Sequence, residues 1–589
     1  MYSSKIEELE KQIESLPKGA ISTKTINGKK YYYHRFNLNS KRIEKYIPEN
    51  EVELMRSQIE KRKQLESRLK QIKKNTTVLK DEDSITYKTM ILFGKQLQNW
   101  AKLAEKYKSR EIFDQLKKYI YSENQDKVFI LYGLRRTGKT TMIRQMILEM
   151  NEEMLSQSAF IQITSKNTLF DINSDLKVLE ENGYKYIFID EVTLMEDFIE
   201  NAALFSDIYV SSGMKIVLTG TDSLGFIFSK EQQLYDRAVL LHTTFIPYRE
   251  FENVLNIKGI DEYIQYGGTM SISGNNYNID STFSSQEKAD EYVNTAIAKN
   301  IQHSLKYYQH EGHFRDLYNL YQSNELTSAI NRVIEDINHR FTKEVLTKTF
   351  KSYDLSLVAN NLLRSREEPV DLYENIDREQ VVNSIKTMLE ILNKDEQTQA
   401  ITEEQAYQIK EYLLLLDMIE EIDQYHFPNI NKPNKKIVLS QPGLRYGQVE
   451  ALVNSLLLDE KFNNLSAIQR KSILERAMNT IKGQMMEDIV LLESKKAYPN
   501  KQVFQLQFAV GEFDMVIYDS DNLTCDIYEI KHSNKIVPQQ YQHLIDNDKC
   551  SQTEFRFGKI TSKNVIYRGE STTVDSIRYV NVEEYLKSL

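Results

Sequence analysis

The segment Gly133-Leu-Arg-Arg-Thr-Gly138-Lys139-Thr140 decides the fold of this sequence. It fits the G-x-x-x-x-G-K-[ST] pattern, follows the apolar run Val128–Tyr132 and precedes the helical run Thr141–Met150. In such a loop, glycines let backbone N–H groups surround phosphate oxygens at a helix N-terminus, where the helix dipole favours anions. The pattern therefore predicts a phosphate-binding loop between a buried strand and a helix.

The residues of this loop have separate expected roles toward ATP and magnesium. Lys139 is expected to reach the β- and γ-phosphates, and the Thr140 hydroxyl is expected to bind Mg²⁺. The loop residues expected to hold ATP are Gly133, Arg136, Thr137, Gly138, Lys139, Thr140 and Thr141.

Two acidic residues end a second apolar run, Tyr186-Ile-Phe-Ile-Asp190-Glu191. Asp190 is expected to contribute to ATP binding by holding Mg²⁺ through its water shell, and Glu191 to polarise the attacking water. Hydrolysis of ATP, and not binding alone, is therefore predicted. A strand-like run at 159–164 separates the two motifs, as in the P-loop class that places a catalytic glutamate here.

Two further segments complete the predicted ATP site. The run Lys215-Ile-Val-Leu-Thr-Gly-Thr221 resembles the sensor strand of AAA-type ATPases. In that strand, Thr219 or Thr221 would read the γ-phosphate, or would simply cap the strand. Arg237 precedes the strand-like run Val239–Phe245 and is the candidate arginine that acts on the phosphates, in its own chain or in a neighbouring one.

The composition is that of a globular protein with several domains. The chain has 589 residues, of which 41% are hydrophobic and 27% charged, and this length exceeds what one core supports. No apolar run approaches the ~18 residues of a membrane-spanning helix. The only cysteines, Cys525 and Cys550, are too few for a disulfide framework. We therefore expect a cytoplasmic protein without a membrane partner.

The first part of the chain is basic, although the whole is acidic. The net charge is -9, yet residues 1–110 contain 25 Lys and Arg against 14 Asp and Glu. Strand-like runs at Ile21–Ile26 and Tyr31–Phe36 flank the turn Asn27-Gly28, and a basic helical pattern covers Glu51–Lys74. This pattern weakly resembles small three-stranded nucleic-acid-binding modules, so DNA is the expected partner. A solvated helix surface is the alternative.

Four residues near the C-terminus form a second set. Glu487 lies in a helical run, Asp514 opens the strand Phe513–Tyr518, and Glu529-Ile-Lys531 ends the following strand. Glu529 and Lys531 share one face because side chains alternate along a strand. If the two strands pair as a hairpin, two carboxylates and an amine converge at one end of the sheet.

This second set suits metal-dependent cleavage of a phosphodiester. Asp514 and Glu529 are expected to bind Mg²⁺ or Mn²⁺, with Glu487 as a further metal residue, while Lys531 positions or activates water. An E-x-K triplet alone is common in proteins. An exposed hairpin with ordinary surface charges is therefore the alternative.

Together, the motifs resemble prokaryotic AAA-type ATPases of the archaeal ATPase superfamily that carry a C-terminal restriction-endonuclease-like domain of the PD-(D/E)XK type. The resemblance covers about 112–570, but Phe513 replaces the Pro before the metal-binding Asp, and the helical stretch 270–375 is longer than the family's lid. The matching segments are Gly133–Thr140, Ile187–Glu191, Asp236-Arg237, Phe245–Phe251, Tyr266–Gly268, Val438–Arg445, Glu512–Asp514 and Glu529–Lys531.

The patterns and the resemblance imply a multidomain α/β protein. The expected function is ATP-controlled, magnesium-dependent cleavage of DNA, with defence against foreign DNA as a setting, by a chain able to form homo-oligomers. One alternative is a nucleotide-switched DNA- or protein-binding regulator with an inert nuclease fold, and another is a ring-shaped protein-remodelling ATPase. The expected parts are a basic module at 1–85, a P-loop ATPase core with a parallel sheet at 86–255, a helical lid at 256–375, a winged helix at 376–445 and a restriction-endonuclease-like domain at 446–589.

Overall fold

The chain divides into two compact units, Met1–Thr89 and Met90–Leu589. No helix of the described residues is long and apolar enough to cross a membrane. The computed structural model describes residues 16–26, 29–38, 41–77, 87–123, 126–195, 198, 202–221, 226, 236–270, 272–273, 280–281, 283, 285–307, 314–351, 401–454 and 466–589.

The first unit is a three-stranded antiparallel sheet followed by a long helix. The first two strands pair as the predicted hairpin, with Ile26 opposite Lys29. The predicted turn residues, Asn27 and Gly28, lie outside the described residues. The elements are β1 (Ala20–Ile26), β2 (Lys29–Leu38), β3 (Lys41–Ile47) and α1 (Val52–Thr77).

The second unit contains a six-stranded sheet with the order β4-β6-β7-β8-β5-β9, in which only β4 is antiparallel to its neighbour. Its strands are β4 (Met90–Phe93), β5 (Val128–Tyr132), β6 (Ser158–Gln162), β7 (Tyr186–Asp190), β8 (Lys215–Gly220) and β9 (Ala238–His242). The prediction of an α/β core with a parallel sheet is confirmed. The surrounding helices are α2 (Gly94–Ala101), α3 (Phe113–Tyr121), α4 (Lys139–Glu149), α5 (Glu152–Ser156), α6 (Leu169–Glu181), α7 (Tyr248–Leu255) and α8 (Ile260–Tyr266).

A mainly helical region follows the first sheet. Its core contains Ile297, Ile330 and Tyr412, all fully buried. Residues 352–400, which include the end of the predicted lid and the start of the predicted winged helix, lie outside the described residues. The elements are β10 (Ile272–Ser273), β11 (Asp280–Ser281), α9 (Gln286–Tyr292), α10 (Lys299–Tyr307), α11 (Arg315–Gln322), α12 (Leu326–Lys351) and α13 (Glu403–Leu415).

A second, eight-stranded sheet contains the C-terminal part of the chain, in the order β13-β12-β14-β15-β16-β17-β19-β18. Its strands are β12 (Ile419–His426), β13 (Asn434–Leu439), β14 (Gln502–Gln507), β15 (Glu512–Asp519), β16 (Thr524–Lys531), β17 (Lys559–Tyr567), β18 (Thr572–Val574) and β19 (Ile577–Asn581). The accompanying helices are α14 (Pro442–Asn454), α15 (Ala467–Ala497), α16 (Asn547–Phe557) and α17 (Val582–Ser588). Short 3-10 or π-helical segments cover Glu49–Glu51, Lys102–Ala104, Val192–Leu194, Phe205–Val210, Val293–Ala298 and Pro538–Gln540.

The β12–β13 hairpin, which lies within the predicted winged helix at 376–445, belongs to the C-terminal sheet. β12 pairs in parallel with β14, from Asp423 opposite Phe504 to His426 opposite Gln507. The hairpin is therefore the edge of the C-terminal sheet and not a free wing. A helix followed by a hairpin has the same local sequence pattern in both arrangements, so the pattern alone could not distinguish them.

The helices that follow the first sheet share one hydrophobic cluster with the second sheet. Phe251 and Tyr263, which follow the first sheet, pack in the same buried cluster as Ile489 of α15 and Ile566 of β17. The predicted boundaries at 255/256 and 445/446 therefore do not separate independent cores. A displacement of α7 or α8 can therefore be transmitted to the second sheet through packed side chains.

Candidate functional site

The loop at residues 133–140 joins the carboxyl end of β5 to the first turn of α4. Gly133 has a φ of 137°, and a Cβ atom at this position would lie 2.5 Å from the carbonyl oxygen of Thr243. Glycine is the residue that fits here without strain. The hydroxyl oxygens of Thr137 and Thr243 are 2.8 Å apart, so the loop is held against the residue that follows β9.

The last loop residues turn the chain into the N-terminus of α4. Arg136 and Gly138 have φ angles of 66° and 95°, and Thr141 is half-buried in the first turn of the helix. The first N–H groups of a helix lack partners within the helix, and its dipole favours an anion at this end. The loop can therefore hold phosphate oxygens through its backbone.

Lys139 is buried at the start of α4. Its Nζ atom donates to the carbonyl oxygens of Gly133 and Leu134 at 2.7 and 2.8 Å. Burial lowers the pKa of Lys139 to about 8, although the charges of Glu191 and Asp190 oppose this shift. A phosphate beside the ammonium group would stabilise its protonated form.

Asp190 and Thr140 meet at the carboxyl edge of the first sheet. The Thr140 hydroxyl donates to Asp190 Oδ2 at 3.2 Å, and the Thr219 hydroxyl donates to Asp190 Oδ1. Burial and the charge of Glu191 raise the pKa of Asp190. These hard oxygen donors fit Mg²⁺, whose charge would offset the burial of the carboxylate.

Glu191 leaves β7 in a left-handed backbone conformation, with a φ of 61°. Its N–H donates to Thr219 Oγ1, and its carboxylate accepts a hydrogen bond from the Thr221 hydroxyl, both at 3.3 Å. Of the two threonines of the predicted sensor strand, Thr219 therefore contacts both Asp190 and Glu191, whereas Thr221 contacts the Glu191 carboxylate. A half-buried carboxylate held in this way can accept a proton from water.

Arg110 belongs to this site, although no sequence pattern indicated it. It is buried, forms a 2.5 Å ion pair with Glu250 and donates to the Thr137 carbonyl at 2.8 Å. Two residues before Glu250, the N–H of Tyr248 donates at 2.8 Å to Glu493 of α15. Burial raises the pKa of Glu493 to about 7. Polar contacts therefore lead from the phosphate loop to a helix of the C-terminal half.

Residues of the predicted lid contact the loop directly. The N–H of Met270 donates to the Arg136 carbonyl at 2.8 Å, and the Tyr292 hydroxyl donates to the Arg135 carbonyl at 3.3 Å. Gln441 in turn donates to the Tyr292 hydroxyl at 2.9 Å. These contacts join distant parts of the sequence, and no local motif indicated them.

Arg237 lies at the wrong end of the sheet for the predicted role within its own chain. It precedes β9, which runs parallel to β5, whereas the phosphate loop follows the carboxyl end of β5. A strand of this length separates the two ends by about 16 Å. The Arg237 guanidinium forms a 2.7 Å ion pair with Asp207. The option that Arg237 acts on the phosphates of its own chain is therefore wrong.

Asp514, Glu529 and Lys531 lie together at one end of the second sheet. The antiparallel register of β15 and β16 places Met515 opposite Tyr528, and Asp514 and Glu529 are the next residues of the two strands. Lys531 Nζ is 2.8 Å from Asp514 Oδ2 and 2.6 Å from Glu529 Oε2. Asp514 Oδ2 also accepts the N–H of Ile530 at 2.7 Å. Two carboxylates and one ammonium group thus converge.

The charges of this cluster are buried and interdependent. Asp514 is 4% exposed and Glu529 2%, and burial together with the Asp514 charge raises the pKa of Glu529. Burial lowers the pKa of Lys531, but the charges of Asp514 and Glu529 outweigh burial and raise that pKa. Glu529 Oε1 is buried and has no hydrogen-bond partner among the described residues. The cluster can therefore accept a further cation, or present a cation to a phosphate.

Glu487 is not brought into direct contact with this cluster. Its Oε1 atom accepts hydrogen bonds from Gln505 and, at 3.3 Å, from Lys436. Burial raises the pKa of Glu487 to about 7. No group of three or more His, Cys, Asp or Glu side chains forms a metal site in the part of the chain that the structure describes. The charge of Asp514 also contributes to the raised pKa of Glu487. That Glu487 joins Asp514 and Glu529 as a metal residue therefore stays a prediction.

Two protein families match parts of this chain. Residues 125–252 match the AAA domain family. Residues 2–57 match a domain of unknown function (DUF6788). No curated protein matches the chain.

The solved structures that are similar to this chain at low sequence identity include the following two. The ORC1 protein of Aeropyrum pernix, solved in complex with DNA, shares 12% identity, covers 62% of this chain and 95% of its own, and has a TM-score of 0.20. C. elegans PCH-2 shares 14% identity, covers 37% of this chain and 64% of its own, and has a TM-score of 0.19.

The match to the AAA domain family spans the residues that meet at the edge of the first sheet. These include the loop at 133–140, Asp190, Glu191 and Thr219. Residues 125–252 therefore form an AAA-type ATPase domain, which binds ATP.

Proposed function

We propose that this chain couples ATP hydrolysis to metal-dependent cleavage of DNA. Hydrolysis takes place in the AAA-type domain, and cleavage takes place at Asp514, Glu529 and Lys531. The observation that supports cleavage is the convergence of two buried carboxylates on one ammonium group, within 2.8 Å. This arrangement offers charged groups for both a metal ion and a phosphodiester.

At the ATP site, each side chain has a distinct task. Lys139 balances the phosphate charge, and Thr140 with Asp190 would hold Mg²⁺, which neutralises charge on the phosphates when it is bound. Glu191 accepts the proton of the attacking water, and Thr221 orients its carboxylate. Arg237 acts only on a neighbouring chain of a homo-oligomer under this proposal, because it lies at the opposite edge of its own sheet.

At the second site, Lys531 orients the substrate and does not remove a proton. Its pKa is raised by Asp514 and Glu529, so the amine stays protonated near neutral pH. An ammonium group can contact a non-bridging phosphate oxygen and stabilise negative charge as the phosphodiester breaks. Asp514 and the buried Oε1 atom of Glu529 would hold Mg²⁺ or Mn²⁺, which supplies an activated water and further charge stabilisation when bound.

The contacts of Arg110 and Glu493 suggest how one site controls the other. Arg110 binds both the Thr137 carbonyl and Glu250, and nearby Tyr248 binds Glu493 of α15. A nucleotide that moves the phosphate loop would shift these partners, and α15 would move with them. A conformational change at the ATP site would thereby be transmitted to the sheet that contains Asp514 and Glu529.

A second candidate function is a nucleotide-switched regulator with an inert nuclease fold. The Lys531 ammonium already bridges Asp514 and Glu529, so each carboxylate has an ion-pair partner without a metal. In this alternative the cluster stabilises the fold, and the chain binds DNA or protein without cutting it.

The purified full-length chain distinguishes these functions. It would be incubated with supercoiled, linear and single-stranded DNA and with RNA, with and without ATP, Mg²⁺ and Mn²⁺. We expect cleavage that requires metal and changes with ATP. Absence of cleavage under every combination, together with no Mn²⁺ binding at the second site in calorimetry, would favour the inert regulator.

The basic first unit is proposed to bind DNA phosphates. Arg56, Lys61 and Lys63 are exposed on α1. Changing all three to Gln should weaken duplex binding and flatten the dependence of log K on log salt by roughly 0.9 for each phosphate that the unit no longer binds. Titrations of labelled duplex at several salt concentrations measure this slope.

Ser57→Ala is the matched control, because Ser57 is exposed on the same helix and uncharged. It should leave affinity and slope unchanged. If the triple variant also keeps the wild-type slope, the basic residues are a solvated surface, and this unit has a different role.

A further inference from the structure

A cleft of about 610 Å³ opens beside the second site. Its walls are the turn after β14, the residues after β12 and the segment 542–552. Phe427 and Phe508 stack in it with ring centroids 5.4 Å apart and planes 7° from parallel. Val510, at its rim, is 77% exposed. This volume is typical of sites for small organic groups.

The cleft and the charged cluster lie on the same face of the second sheet. Phe427 and Phe508 pack against the core cluster that contains Ile527 of β16. Glu529 lies two residues after Ile527 and so points to the same face. On the opposite face, Tyr528 and Ile530 pack in the cluster that contains residues of α15.

The distance between the cleft and the charged cluster of Asp514, Glu529 and Lys531 is short. The turn Phe508–Gly511 closes with a 3.0 Å hydrogen bond from the Phe508 N–H to the Gly511 carbonyl, and Asp514 follows three residues later. Three residues of strand span about 10 Å. This is about the length of three stacked nucleotides in one strand, at about 3.4 Å each.

The chemistry of the walls favours an uncharged planar group over a phosphate. Asp546 and Asp548 line the cleft, and their charges would repel a phosphate. Lys549 Nζ is held 2.6 Å from His543 Nδ1, so the imidazole accepts at Nδ1 and carries its proton on Nε2. Gln552 adds an amide to the same wall. Aromatic rings with nearby polar groups are the features that hold nucleobases in single-stranded nucleic acids.

We infer that this cleft binds an unpaired nucleobase of the strand whose phosphodiester lies at Asp514 and Lys531. The inference rests on the proposed cleavage function and adds its substrate class. A base can enter such a cleft only when it is not stacked and paired in a duplex. The substrate is therefore a single strand, a frayed end or a flap.

Binding of 2-aminopurine oligonucleotides to the full-length chain tests this inference without cleavage, because magnesium is omitted. Single strands of DNA and of RNA would be compared with the same strands annealed to a complement. We expect fluorescence changes with single strands only, and the two sugars show which nucleic acid is preferred. Phe508→Ala should weaken binding about 5- to 150-fold, the range for removal of one aromatic ring that stacks on a base.

Phe555→Ala is the matched control, since Phe555 lies on α16 with Lys549 and is 93% exposed. Val510→Asp is a second test that does not depend on core packing, and its added charge at the rim should also weaken binding. Gly511 must be kept, because a Cβ there would lie 2.4 Å from the His543 ring.

Equal fluorescence changes with single and paired strands, or equal effects of Val510→Asp and Phe555→Ala on that change, would overturn the base-binding cleft. These outcomes are separable from failure of cleavage. A chain that binds unpaired bases but never cuts keeps the cleft and loses the proposed reaction. A chain that cuts without the fluorescence change keeps the reaction and loses the cleft.

Discussion

Glu191→Gln is expected to lower the rate of ATP hydrolysis about 10²–10⁴-fold while ATP binding persists. The amide keeps an oxygen that can accept the hydrogen bond now made by the Thr221 hydroxyl, so the local geometry is retained. It cannot accept a proton from water. Phosphate release measures the rate, and equilibrium titration with nucleotide measures the affinity.

Lys139→Ala should instead abolish productive binding, because the ammonium group that balances the phosphates is removed.

Glu181→Gln is the matched control for Glu191→Gln. Glu181 is an exposed residue at the end of α6, so the same chemical change there should leave the rate unchanged. A Glu191→Gln chain that hydrolyses ATP at the wild-type rate would remove Glu191 from the mechanism.

Asp514→Asn is expected to reduce DNA cleavage by about 10²-fold or more while ATP hydrolysis continues. The carboxylate is the proposed metal ligand. A bound metal would stabilise the charge that develops in the transition state by several kcal/mol. Asparagine keeps an acceptor for the Ile530 N–H but loses the charge that pairs with Lys531. Lys531→Ala should have a similar effect on cleavage. Glu487→Ala should be milder, because Glu487 contacts Gln505 and Lys436.

Asp519→Asn provides the control on the same strand, at the end remote from the cluster. Thermal unfolding of each variant separates lost chemistry from lost structure. If Asp514→Asn cuts DNA as fast as Asp519→Asn does, the cluster is not the site of cleavage.

The elements that could be predicted from sequence are those whose signals are local. The strand before the phosphate loop, the loop itself and the strand ending at Asp190 are contiguous segments, and their apolar runs lie where the structure has β5 and β7. The convergence of Asp514 and Glu529 on Lys531 was also predicted, from one short turn and the alternation of side chains. In each case the residues that decide the structure are neighbours in the chain.

The remaining features depend on contacts between distant segments. Arg110 contacts Glu250 from 140 positions away, and Gln441 contacts Tyr292 from 149 positions away. Nothing in the local pattern around either residue indicates such a partner. The sequence also left open whether Arg237 acts in its own chain. Only the direction of β9 within the sheet shows that Arg237 lies at the end away from the phosphate loop.

The pairing of β12 with β14 has a practical consequence for how this chain can be divided. A fragment that begins at residue 446 would retain β14 but lose the strand that covers its edge. The exposed row of N–H and C=O groups would become a template for aggregation. Such a fragment would also expose the face on which Phe251 and Tyr263 pack. The C-terminal half therefore cannot be fused to another protein from residue 446 onward. A chimera that keeps this sheet intact must include the hairpin at 419–439.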